Sequence, residues 1–191
     1  MTEPSTTVLQ DFSRLADRFG AVVDRLDEAD WGRDSPCEGW SARDVLHHVV
    51  STQRDFLARH GLDASTGRDA EADPREAWHA HDERLRGLLA DPAVASHEYD
   101  GVFGRTTVGA TIVTFYGFDL VVHRWDIATA AGLDERFDDR ELDLIESSAD
   151  GFGEHLYDDG VCKAAVSAPG DADRQARVLA RLGRRSTADV G

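Results

Sequence analysis

The sequence predicts an all-α fold, a four-helix bundle followed by an extra short helical segment near the C-terminus. Apolar residues recur at helical spacing in five segments. Loops marked by Gly, Pro, Asp and Ser separate those segments, and little of the chain reads as strand. A length of 191 residues suggests one domain over 1–191, with 162–191 as a tail that packs on the bundle or trails from it. That is long enough to bury a core without staples.

The first helix covers Thr7 to Ala29, where Val8, Leu9, Phe12, Leu15, Phe19, Val22, Val23 and Leu26 form an apolar stripe. "WGRDSPCEGWS" breaks it with Gly32, Pro36 and Gly39. Ser41 then reads as an N-cap, with Asp44 completing an approximate capping box. The second helix runs on to about His60. After the polar loop "GLDASTGRDAEADP", a third helix starts near Pro74, a good first-turn residue, and ends near Ala90. "ASHEYDGVFGRTTV" reads as a turn or short hairpin. The fourth helix extends from about Val108 to Ala131 and stops at Gly132, a left-handed cap. "DDRELDLIESSADGFGEHL" supplies a fifth, amphipathic helix, and "DRQARVLARLG" the short helical stretch of the tail. Four long helices in antiparallel order are the simplest packing.

Composition narrows the partners. Lys and Arg number 21 against 37 for Asp and Glu, a formal net charge of −16. Such a surface repels phosphate backbones and anionic lipid, so neither nucleic acid nor membrane is an expected partner. The N-terminus lacks the basic region and apolar stretch of a signal peptide, and no apolar run approaches the ~18–20 residues of a membrane span. Cys37 and Cys162 lie far apart and match no paired metal-ligand spacing; they read as free thiols in a reducing compartment. A cytoplasmic location follows. A homodimer stays open, since bundle faces can pair but no signature speaks either way.

The fourth helix carries the chemistry. Asp119, His123 and Asp126 stand at i, i+4 and i+7, on a face that extends back to Tyr116. The rest of that helix is apolar around most of its circumference, as expected of a central element. An unpaired carboxylate there would cost several kcal/mol or protonate. Three arrangements offset this: an internal acid–histidine pair with Arg124 near, a general acid/base pair, or a divalent metal held by His123 and Asp119. Imidazole with carboxylate suits Zn²⁺, Fe²⁺ or Ni²⁺, and a further ligand must then come from another helix. His47 and His48 on the second helix are the candidates, and periodicity barely separates them. His79 and His81 fall on different faces and read as exposed. His60, His97 and His155 have no spacing that singles them out. Cys37 sits in a loop that could hang over the site, although a buried, inert thiol is the commoner role.

"SPCEGWSARDVLHHVV", followed later by "GFDLVVHRWDIATAAG", resembles the metal-binding domain of mycothiol-dependent maleylpyruvate isomerases. It is closer still to stand-alone actinobacterial relatives in the DinB-like superfamily, whose ending this chain's tail, "VSAPGDADRQARVLARLGR", resembles. The resemblance implies a DinB-like four-helix bundle with a divalent metal, usually zinc. By position it makes His48, Asp119 and His123 the ligands, with Asp126 bonding a ligand imidazole or a neighbouring backbone group. The isomerases have glutamate at Asp119, one methylene longer, so Asp119 either ligates from a closer helix or orients His123 without touching the metal. The isomerases also carry a second, C-terminal domain, so a reaction other than maleylpyruvate isomerisation is expected. The resemblance implies a metal-dependent, mycothiol-linked transferase or isomerase acting on a small molecule, with mycothiol as cosubstrate. Arg43 or Arg124 would neutralise an acidic substrate, and Trp125 would be core. The alternative is a non-catalytic protein that binds a metal or small ligand.

Overall fold

The computed structural model describes residues 4–67, 73–102, 104–158 and 160–185. Helix α1 spans Pro4–Val23, α2 Ala42–Arg59, α3 Pro74–Leu89 and the short α4 Pro92–Ala95. A hairpin of β1, Glu98–Gly101, and β2, Gly104–Thr107, leads into α5, Val108–Ala130. Helix α6 covers Asp139–Phe152 and α7 Arg174–Arg181. The fold is all-α, and among the described residues the strands are confined to this hairpin.

Local chemistry sets most boundaries. Ser41 and Asp44 form the reciprocal capping box of α2, and Asp138 with Glu141 does the same for α6. Thr107 caps α5 by accepting from the Ala110 amide, and Gly132 ends that region at φ +72°. The first helix stops six residues short of the Ala29 expected from periodicity. Its apolar stripe runs on past Val23 because Leu26 and Trp31 are still buried, from a tightened turn and a 3-10 turn at Asp30–Gly32. Burial, which periodicity reports, outlasts the helix there.

Helix α5 is the axis of the molecule, packing against α1, α2 and α6. Its residues from Leu120 to Ala128 are all buried. Helix α1 lies close against it: a Cβ at Gly109 would sit 2.9 Å from Val8 Cγ1, and one at Gly117 2.9 Å from Leu15 Cδ1. Those pairs make α1 and α5 parallel. Asp24 meets His79 while Asp17 meets Arg86, so α3 runs against α1. Thr52 meets Tyr116 while His48 meets Asp119, so α2 runs against α5. The order is therefore up, down, down, up rather than simple alternation. Residues 60–73, which join α2 to α3, make this possible. Fourteen residues can reach roughly 46 Å when extended, more than the about 27 Å length of an 18-residue helix.

His81 departs from its expected exposure: it is 0% exposed and bonds Gln53 Oε1 through Nε2 at 2.9 Å. It shares a stripe with Ala77, Trp78, Leu85 and Leu89, all buried, whereas His79 faces out to Asp24. Burial, helped by the charge of Arg54, pushes its pKa down to about 3. The folded protein therefore keeps His81 neutral where the unfolded chain, near 6.5, takes up a proton. Stability from this site is complete above pH 6.5 and falls as the pH drops toward 3, by up to about 1.4 kcal/mol per pH unit. Urea unfolding between pH 7 and 5 should show a smaller pH slope for His81→Gln than for wild type.

Candidate metal centre

Two turns into α2, the capping box at Ser41 sets the phase that turns His48 toward α5 and leaves His47 exposed. From α5, Asp119 and His123 project to the same place, one turn apart. His123 Nε2 lies 3.2 Å from Asp119 Oδ1, and His48 Nε2 lies 3.7 Å from the same oxygen. The two imidazoles meet edge to face, with centroids 5.2 Å apart. One donor atom from each of the three residues lies within 4.8 Å of the others. Ligands about 2.0–2.1 Å from a tetrahedral ion stand about 3.3 Å apart, so small side-chain shifts would close the set.

Asp119 Oδ2 is buried and has no hydrogen-bond partner. An ionised oxygen left this way costs at least about 1–3 kcal/mol. Burial opposes ionisation of Asp119, but the His123 charge and hydrogen bonds from His123 and His48 hold its carboxyl well below the usual range. Burial likewise opposes charge on His123. Asp119, Asp126 and Cys37 outweigh it and raise the imidazole well above its ordinary value. Asp119 is thus a carboxylate with one free, dry oxygen beside two imidazoles. That donor set fits a divalent cation, which would take the place of the Nε2 proton of His123.

The other side of His123 is already satisfied. Its Nδ1 bonds Asp126 Oδ2 at 2.9 Å, and Asp126, 0% exposed, is gripped by Arg184 through Nε at 2.8 Å and Nη2 at 2.7 Å. Burial opposes the Asp126 charge, and Arg184 with His123 overcomes it, so the carboxyl stays ionised. The Cys37 thiol donates to Asp126 Oδ2 at 3.3 Å and accepts from Arg184 Nη2 at 3.5 Å. A turn holds it there: Ser35 N donates to Trp40 O and Trp40 N to Cys37 O, at 2.8 and 2.9 Å.

Cys37, His48, Asp119 and His123 floor a cleft of about 760 Å³. Phe115, Phe118, Phe152 and Tyr157 form its apolar wall, and Trp40 covers His48 at a centroid distance of 4.9 Å. The tail supplies the remaining wall through Val161, Cys162, Lys163 and Arg184. Burial pushes the Cys162 thiol pKa up, against the pull of Arg184 and His123. Tyr116 also faces the cleft, its hydroxyl donating to Thr52 O at 3.3 Å, and burial raises its pKa to about 12.

Other expectations fare differently. Trp125 is core, at 5% exposure. Arg124 cannot meet a substrate, because it is 1% exposed and bound to Glu141 and Glu135 on the far side of α5. Arg43 is not among the residues that line the cleft. His155 bonds Asp158, while His60 and His97 meet each other beside Tyr99. Sequence reasoning read Cys162 only as a free thiol, not as part of the site, and missed Arg184 altogether. A basic residue after "RLG" in a charged tail carries no local sign of pairing with a residue 58 positions away.

A family model described as the mycothiol maleylpyruvate isomerase N-terminal domain matches residues 12–128. No curated protein and no solved structure matches the chain. No helix among the described residues is long and apolar enough to cross a membrane.

Proposed function

Because the chain belongs to the mycothiol maleylpyruvate isomerase N-terminal domain family, we propose that it is a divalent-metal enzyme joining mycothiol to a small molecule or isomerising one. His48, Asp119 and His123 would hold the metal, with zinc the preferred ion and Ni²⁺ or Fe²⁺ the alternatives. The observation that carries this reading is the convergence of His48 and His123 Nε2 on Asp119 Oδ1, with the other carboxylate oxygen, Oδ2, buried and unpartnered. Bound there, the ion would favour the thiolate form of a thiol cosubstrate near neutral pH.

The chain's own residues do the rest. Asp126, ionised and clamped, accepts from His123 Nδ1 and so keeps Nε2 directed at the cleft. The phenylalanine wall excludes water from one side of the cleft, and a volume of about 760 Å³ suits a small organic ligand. Tyr116 stays protonated to about pH 12, so it offers a hydrogen bond rather than a base.

The test is turnover. Zinc-loaded protein, mycothiol and a panel of small electrophiles should consume thiol, and a chelator should stop it. Tight thiol binding with no product from any electrophile would reject catalysis in favour of a binding module.

A further inference from the structure

Two ligand clusters share one histidine. His48, Asp119 and His123 form the first, and Cys37, His123 and Asp126 the second, each with donor atoms within 4.8 Å of one another. His123 serves the first through Nε2 and the second through Nδ1. A neutral imidazole has one lone pair, so one ion can occupy only one of these seats at a time. The second seat carries a thiol and so suits softer metals.

We propose that Arg184 decides between the two seats: its guanidinium fills the cation position of the Cys37 cluster and so confines the metal to the Asp119 side. The inference rests on the metal reading above. Both oxygens of Asp126 bond Arg184, at 2.8 and 2.7 Å, and Cys37 Sγ lies 3.5 Å from its Nη2. With that positive charge in place, Asp126 has no open charge to offer a metal, and it accepts a hydrogen bond from His123 Nδ1–H. The Nε2 lone pair then points toward Asp119, whose Oδ2 is the unpartnered atom.

The tail brings Arg184 in by a close approach. Gly183 has φ +77°, and a Cβ there would lie 2.6 Å from Lys163 Cβ and 2.9 Å from Lys163 O. Leu182 and Leu179, both 1% exposed, anchor the same segment in the core. Arg184 lies outside the family-matched residues 12–128. Metal choice in the matched domain is thus set by a residue of the following segment.

Cobalt(II) titration followed by absorption reads the choice directly, because a thiolate ligand adds a sulfur-to-cobalt charge-transfer band. Wild type should bind cobalt without that band. Arg184→Ala should bind it roughly 10–100-fold more weakly at the first seat and gain the band. A second substitution, Cys37→Ser, should remove the band, and added guanidinium ion should suppress it. Arg184→Ala with wild-type affinity and no sulfur band would overturn the proposal. Should that variant fail to fold, Arg184→Gln, which keeps hydrogen-bond donors but loses the charge, should gain the band in the same way, and a wild-type spectrum from it would overturn the proposal. Wild type that binds no cobalt would remove the metal reading itself, an outcome distinct from failure of Arg184 alone.

Discussion

Purified without added metal, wild-type protein is expected to carry about one divalent ion per chain, and His123→Ala to carry none. His123 is the hub of the cluster: its Nε2 faces Asp119 and its Nδ1 is held by Asp126. Truncation removes a ligand and leaves Asp119 with only the half-buried His48 beside it. The loss should also appear in stability. An ion present at 1,000 times its Kd contributes roughly 4 kcal/mol, so a chelator should lower the wild-type Tm by roughly 8–16 °C and leave His123→Ala unmoved. His48→Ala gives the same readout with less disturbance of the core. Equal, near-zero metal in wild type and variants, with no response to chelator, would mean that Asp119 and His123 are an internal ion pair and nothing more.

Replacing Arg124 by Met is expected to destabilise the protein by about 3–5 kcal/mol, measured by urea unfolding. Arg124 is 1% exposed and reaches from α5 to Glu141 Oε1 at 2.6 Å, Glu141 Oε2 at 2.9 Å and Glu135 Oε1 at 2.8 Å. Glu141 is itself 0% exposed and serves the capping box of α6. Methionine fills the volume but leaves a buried carboxylate with Arg18, at 2.7 Å, as its remaining cation. The cost is that of an under-compensated buried charge. Arg174 makes the useful contrast. It too bridges carboxylates, Asp143 and Glu146, at 2.6 and 2.7 Å, but 35% of its side chain is exposed. Arg174→Ala should therefore leave the urea unfolding midpoint nearly unmoved.

Much of the bundle was legible from local pattern. The capping box at Ser41, the first-turn Pro74 and the Gly132 stop appear where the sequence puts them, within a residue or so of the helix ends. Errors came where burial and helicity part company. Leu26 and Trp31 extend the apolar signal beyond α1, and His81 lies in a stripe of large apolar residues although histidine is commonly exposed. The chain order of helix directions was not legible, because residues 60–73 are long enough to allow either return path.

The polar stripe shows the same division. Helical geometry alone dictates that Asp119, His123 and Asp126 share a face of α5, and the apolar residues around them dictate that the helix is central. What meets that face is a matter of packing. The approach of α2 brings His48 rather than His47, the Ser35–Trp40 turn brings Cys37, and the tail folding back at Gly183 brings Arg184. Spacing within a helix is set by its backbone hydrogen bonds and can be counted along the chain. Partners from other elements depend on crossing geometry and loop path, which the summed packing of the core selects.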